Sequence, residues 1–278
     1  METNQKIYKI CVCSPHFSSL AYYHRLRGIQ KYLDTLEIET DLQIRIINSR
    51  KQLQRFIESL RSNDLDGVIF ISLALSDNLV YEVKDAGVQC VLIENSTNAC
   101  TCVINDNFEG GRIAARYFLD HGYDNFAVLT EPFHWDYSVY TIQDRVLGFQ
   151  AELGAAGFTV SREHIYENKI DKALVREQFS SIFPEKNYPK AFFVTADMMA
   201  VGLIQAARDC GVRVPEDVAI IGFDDIDPAE AYDLTTISQH LDESGRIAAE
   251  ALIGKLTDPD YVEKTIEIPL SLIERKTV

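Results

Sequence analysis

Val218-Ala-Ile-Ile-Gly-Phe-Asp224 is an apolar run entered through Pro215 and closed by the acidic cluster Asp224-Asp225-Ile226-Asp227. It reads as a strand buried on both faces whose last residue meets charge. Upstream, the strand-like stretch Lys190 to Thr195 passes into Ala196-Asp-Met-Met-Ala-Val-Gly-Leu-Ile204, which has helical periodicity. Ala200, Leu203, Ile204 and Ala207 share one face of that helix, and Gly211 ends it. Asp197 and Asp224 therefore stand at strand-to-helix junctions. In open α/β sheets this carboxyl edge of the strands is where small ligands bind, and the hydroxyls of a polar solute are natural partners for half-buried acids.

The same rhythm extends in both directions. Ile7 to Cys13, Leu42 to Ile47, Val68 to Ser72 and Val88 to Ile93 read as strands. Helices follow the first three: one capped by Ser18 or Ser19 with the stripe Tyr22, Leu26, Ile29, Leu33 and Leu36, then Lys51 to Leu60, then Ser76 to Asp85 ending at Gly87. A second series begins where Asn105-Asp106-Asn107 is placed to cap a helix carrying Ala114, Ala115, Phe118 and Leu119. It continues with the strand Phe126 to Thr130 and the helix Thr141 to Ala156. Asp242 is placed to cap a late helix, and Ile266, Ile268, Leu270 and Leu272 alternate as in a strand. Two doubly wound α/β units with parallel sheets flanked by helices follow from this order.

Composition narrows the function. With 46% apolar and 25% charged residues the chain is built for packed cores, and 42 acidic against 27 basic side chains leave a formal charge of −15. That balance repels phosphate backbones, so the chain alone should bind nucleic acid poorly. The amino terminus lacks a secretory pattern and no apolar stretch approaches a bilayer span, which predicts a cytoplasmic protein with no membrane contact. The six cysteines lie in or beside strand-like runs without metal-knuckle spacing, and read as reduced, partly buried thiols. No phosphate loop, dinucleotide fingerprint, nucleophile elbow or paired histidine motif occurs, so neither a cofactor, a metal nor an enzymatic reaction is expected.

The candidate binding residues carry competing structural roles. Asp197 is also placed as an N-cap, worth about 1 kcal/mol to a helix without any ligand. Asp224 is different, because packing needs none of the charge gathered around it. Arg145 opens the Arg-Val-Leu-Gly-Phe149 helix and offers a guanidinium fork for adjacent hydroxyls, or a salt bridge to Asp144 or Glu152. Trp135 and Tyr137 are suited to stacking on an apolar sugar face or to packing their own loop. Ser72 and Glu94 end the third and fourth strands, in the topological position that Asp224 holds later, and are expected to line the facing wall of one cleft.

Six segments carry a resemblance: Asp106 to Gly122, Arg145 to Phe149, Thr195 to Gly202, Val214 to Asp225, Leu234 to Gln239 and Pro269 to Arg275. In this order, across nearly the whole chain, they resemble the effector-binding core of LacI/GalR-family transcriptional regulators, which is similar to the ribose-type periplasmic solute-binding proteins. The resemblance implies two Rossmann-like lobes of periplasmic-binding-protein type I, 1–105 plus 239–268 and 106–238 plus 269–278. Three hinge crossovers, near residues 104–108, 236–240 and 267–271, would join them. It implies a small sugar or polyol effector held between the lobes, with Tyr22, Ser72, Glu94, Arg145, Phe223 and Asp224 as contacts beside Trp135 and Asp197. It also implies a homodimer that reaches operator DNA only through a helix-turn-helix. That element has no counterpart in the few residues before Ile7, so the expectation is either the sensor core of a longer regulator or a protein that works without DNA. Ala196 stands where the family commonly has an Asn that grips sugar hydroxyls. The alternative is a periplasmic-type sugar-binding protein, for which a monomer and a signal peptide are expected.

Overall fold

The computed structural model describes residues 6–16, 19–132 and 139–278. In chain order the first strands are β1 (Tyr8–Ser14), β2 (Thr40–Ile46), β3 (Gly67–Ile71), β4 (Gln89–Ile93) and β5 (Thr101–Ile104). The next are β6 (Phe126–Thr130), β7 (Ile165–Glu167), β8 (Ala191–Val194), β9 (Ala219–Asp224) and β10 (Thr235–Ser238), and the last are β11 (Thr265–Glu267) and β12 (Ser271–Ile273). The helices are α1 (Leu20–Leu33), α2 (Arg50–Ser59), α3 (Asp77–Asp85), α4 (Asn107–Asp120) and α5 (Thr141–Ala155). They continue with α6 (Lys172–Ile182), α7 (Asp197–Asp209), α8 (Asp227–Ala231) and α9 (Leu241–Thr257).

The chain forms two compact units, and it changes unit after Asn105, after His240 and after Ile268. The first unit holds a six-stranded sheet in the order β11-β5-β4-β3-β1-β2, parallel throughout. The second repeats the pattern as β12-β10-β9-β8-β6-β7, parallel except for β12, which runs antiparallel to β10. Position for position, β1 corresponds to β6, β3 to β8 and β4 to β9. Parallel sheets must be covered on both faces, and the central strands β3, β6, β8 and β9 are buried from end to end. In the first unit Phe70, Val80 and Leu53 pack on one face and Ile69, Ile29 and Leu252 on the other. In the second unit Phe192, Leu203 and Phe179 lie on one side and Phe193, Phe149 and Phe118 on the other.

Several expectations need correction. The alternating run from Ile266 to Leu272 is two strands, β11 and β12, serving different sheets, because Pro269 interrupts the ladder between them. Ala196, not Asp197, is the N-cap of α7, and Asp197 is its first helical residue. Helix α9 starts at Leu241, so Asp242 lies in its first turn, where both carboxylate oxygens accept from Arg27 of α1 at 2.6 and 2.5 Å. Asp106 caps α4 by accepting from the Glu109 backbone N–H at 2.9 Å. The short elements β5, β7, α6, α8 and β10 lay outside the sequence reading.

Candidate functional site

The parallel register brings the candidate residues of the first unit together. Strands β3 and β4 pair from Gly67–Gln89 to Ile71–Ile93, so Ser72 and Glu94 emerge side by side one step beyond the ladder. Both have left-handed backbones, with φ of 54° and 64°, a strained conformation for residues with side chains and one concentrated at functional sites. Backbone bonds hold them there: Ser72 N donates to the Ile93 carbonyl at 3.0 Å, and Glu94 N to that of Val103 at 2.9 Å. The Ser72 hydroxyl donates to Glu94 Oε2. Arg25 Nη2 donates to Glu94 Oε1 at 2.6 Å, with the two side chains only 2% and 5% exposed. Arg25 also donates from Nε to Ser244 Oγ of α9 at 3.3 Å.

The second unit carries a matching cluster. Asp224 closes β9 with φ of 122°, and Asp225 follows at 59°. Asp224 Oδ1 accepts from Gln239 Nε2 at 2.5 Å and lies 3.5 Å from Arg145 Nη1. Arg145 is buried; its Nε donates to Asn107 Oδ1 at 2.8 Å and its Nη1 to the Thr195 carbonyl at 2.7 Å. Its guanidinium lies 3.8 Å from the centre of the Phe223 ring, a cation–π contact in a desolvated setting. Glu152, considered as an ion-pair partner of Arg145, instead accepts from Arg112 Nε at 2.7 Å.

Each unit thus places an arginine from the helix after its first strand against a carboxylate that ends the corresponding strand, β4 or β9. The arginines are delivered by close helix packing. A Cβ on Gly245 of α9 would stand 2.0 Å from the Arg25 carbonyl oxygen, and one on Gly111 of α4 would stand 1.9 Å from that of Arg145. No side chain fits at either crossing, so glycine lets the paired helices approach until the arginine backbone seats on the neighbouring helix.

The remaining candidates fall differently. Tyr22 is partly buried on α1, and its ring meets His16 edge-on with centroids 4.9 Å apart. Trp135 lies outside the described residues. Asp197 is fully buried, with Oδ2 accepting from the Ile226 N–H at 3.1 Å and Oδ1 from the Thr236 hydroxyl at 2.6 Å. Burial, and then the charge of Asp224, push its carboxyl well above the usual carboxylate range. Asp197 is therefore joined to the turn after β9 that carries Asp224 and Asp225.

Arg25, Glu131 and Gln239, the last of which donates to Asp224, were not singled out in the sequence. Arg25 sits one place before Leu26 of the apolar stripe, where a charged residue passes for the solvent face. Glu131 follows β6, and its position after an apolar run was a usable signal. Burial raises its carboxyl pKa, Arg145 acts against the rise and Asp224 adds to it. Among the described residues, no three His, Cys, Asp or Glu side chains are arranged to hold a metal ion.

Residues 115–278 match the family of periplasmic binding protein-like domains. The chain is 30% identical over 242 residues to the HTH-type transcriptional repressor PurR of Edwardsiella ictaluri, covering 84% of this chain and 70% of that protein. A crystal structure of the lactose repressor bound to the anti-inducer ONPF superposes with a TM-score of 0.83 at 22% identity, over 97% of this chain and 99% of that one. A LacI-family transcriptional regulator from Enterococcus faecium with bound ribose superposes with a TM-score of 0.82, also at 22% identity, over 97% and 98%. These structures share the two-lobe fold, and the sequence relative is a transcriptional repressor and not an enzyme. The chain belongs to the LacI/GalR family of transcriptional regulators and carries its periplasmic-binding-protein-like effector-binding core.

Proposed function

We propose that this chain senses a small hydroxyl-rich effector, a sugar or polyol, and as a cytoplasmic homodimer transmits its presence to a helix-turn-helix that binds operator DNA. The observation that carries the reading is the repeated Arg–carboxylate cluster, Arg25–Glu94–Ser72 in one unit and Arg145–Asp224–Gln239 in the other, each at the carboxyl edge of its sheet. Such clusters suit hydroxyls, because a hydroxyl gives its proton to a carboxylate and accepts one from a guanidinium at the same time. Tyr22 and Trp135 would supply apolar surface for a sugar ring, Phe223 would back the Arg145 guanidinium from within the core, and Asp197 would act by holding the turn that presents Asp224. An effector changes operator affinity only to the extent that it binds one arrangement of the regulator better than another.

The test is a thermal-unfolding screen with neutral sugars and polyols, followed by calorimetric titration of the hits. Arg145→Ala and Asp224→Ala should each weaken binding at least tenfold. Equal affinity in the wild type and both variants would place the effector elsewhere. Sedimentation should show a dimer, and a monomer at all concentrations would favour a solute-binding protein.

A further inference from the structure

We propose that Cys11 and Cys13 of β1 form a dithiol site that binds a monosubstituted trivalent arsenical, a thiophilic centre that asks for two sulfur ligands. The two Sγ atoms lie 3.7 Å apart. Residues two apart on a strand share a face, and this pair faces the core layer that also holds Phe56, Phe70 and Leu92. A bridging atom suits the pair better than a direct sulfur–sulfur bond. Their Cα atoms, two steps along a strand, stand about 6.6 Å from each other, at the outer end of the roughly 4.4–6.8 Å that a disulfide spans. Arsenic bound to both sulfurs lets them stay near their present separation. Each As–S bond that forms replaces an As–O bond, and each thiol proton leaves with the displaced hydroxide as water, so no oxidant is required.

The pair lies close to the edge of its sheet. Strand β1 neighbours the edge strand β2, where Gln43 stands in register with Cys11 and Arg45 with Cys13. Cys11 lines a cavity of about 240 Å³ together with Lys9, Gln43, Arg45, Phe56 and Asp64. Gln43 and Arg45 are exposed, and a rotamer change in either widens the approach to sulfur. The contact with Cys13 holds the Cys11 thiol below its usual pKa against the effect of burial, and the Arg45 guanidinium acts in the same sense. Burial pushes the Cys13 thiol up. Cys11 is therefore the sulfur that attacks first, and Cys13 closes the chelate. A buried cysteine also serves as a small apolar filler. Filling asks for neither mutual contact of two thiols nor a cavity beside them, whereas chelation asks for both. The other thiols are placed differently: Cys102 donates to the Thr97 and Cys100 carbonyls at 3.6 and 3.4 Å, and Cys210 lies in the second unit.

The experiment treats the reduced full chain with an equimolar amount of phenylarsine oxide, then denatures it and alkylates it with iodoacetamide for peptide mass mapping. The native chain should take up a single phenylarsenic group, with Cys11 and Cys13 protected and Cys90, Cys100, Cys102 and Cys210 alkylated. Excess 2-mercaptoethanol should leave the adduct in place, and 2,3-dimercaptopropanol should remove it. No uptake, or protection at Cys90, Cys100 or Cys102 instead, would overturn the proposal. When the arsenical is added in guanidinium chloride, the preference should vanish, because Cys100 and Cys102 have the same spacing in the sequence. A preference that persists there would show that the fold builds no site.

In the second arm, Cys11→Ala and Cys13→Ala are checked for folding by circular dichroism and titrated with dimercaptopropanol after loading. Losing one arm of the chelate should make each release the arsenical at a roughly 100-fold lower dithiol concentration than the wild type. Undiminished retention in either variant would overturn the proposal. Gln43→Ala keeps both thiols and the local charge while thinning the cover over Cys11, so it should react faster than the wild type. An unchanged or slower rate would overturn the assignment of this cavity as the way in.

Discussion

Replacing Arg25 by Met removes a guanidinium that is 2% exposed and leaves the 5%-exposed Glu94 carboxylate without that partner. Methionine keeps an unbranched apolar stem of similar length, so the packing change is small and the electrostatic loss dominates. Breaking one side of a buried ion pair costs about 3–5 kcal/mol. At roughly 2–4 °C per kcal/mol for a domain of this size, the unfolding temperature should fall by roughly 6–20 °C. Adding Glu94→Gln removes the stranded charge, so the double variant should recover much of the loss. Its cycle should give a coupling of about 2–3 kcal/mol. Urea unfolding followed by circular dichroism, at enough points to resolve separate transitions of the two units, measures both quantities. A loss below about 1 kcal/mol for Arg25→Met, or additivity with Glu94→Gln, would refute the view that this pair organises the first unit's carboxyl edge.

Three further outcomes follow from the geometry. Gly111→Ala, whose Cβ would stand 1.9 Å from the Arg145 carbonyl oxygen, should destabilise the chain by about 1–3 kcal/mol and weaken effector binding, whereas Gly154→Ala in α5, with nothing within 4 Å, should be neutral or stabilise it by up to about 1 kcal/mol; chemical denaturation distinguishes them. Asp197→Ala leaves the Ile226 N–H and the Thr236 hydroxyl without their acceptor and should cost about 1–3 kcal/mol in the same assay, while an unchanged midpoint would remove its positioning role. Burial pushes the Glu263 carboxyl up, but hydrogen bonds from Lys255, Lys84 and Thr101 outweigh it and hold the pKa at about 2. A depressed carboxyl pKa stabilises the fold above the ordinary value of about 4.3 and loses that contribution as pH falls toward 2. Glu263→Gln should therefore flatten the acid limb of a stability–pH curve over that window, and an unaltered limb would contradict the assignment.

The parts legible in the sequence are those governed by local periodicity. Buried β9 is an unbroken apolar run because both its faces are covered, and α7 shows a wide apolar face, so their junction was visible with its acids. The elements that escaped notice are short and lack alternation. Strand β5 is Thr-Cys-Val-Ile, and β10 buries two threonines whose hydroxyls resemble loop chemistry until the neighbours are known. Glu94 and Asp224 were found because a charge at the end of a buried strand has no packing reason. Arg25 was missed because what buries it is Gly245 and Ser244, some two hundred residues away, on a helix whose approach no local pattern encodes. The left-handed backbones of Ser72, Glu94 and Asp224 are equally hidden, since none is the glycine that ordinarily marks such a conformation.

Hydrogen–deuterium exchange of the full chain, with and without the neutral sugar that raises its unfolding temperature most, tests the effector-site assignment most directly. Peptides spanning Ser72, Glu94, Thr195 and Asp224 to Ile226 should gain protection, while those at the opposite strand ends, such as Asp64 to Asp66 and Gln89, should exchange as before. Protection confined to the opposite ends, or absent from both arginine–carboxylate clusters while the sugar is bound, would contradict the account.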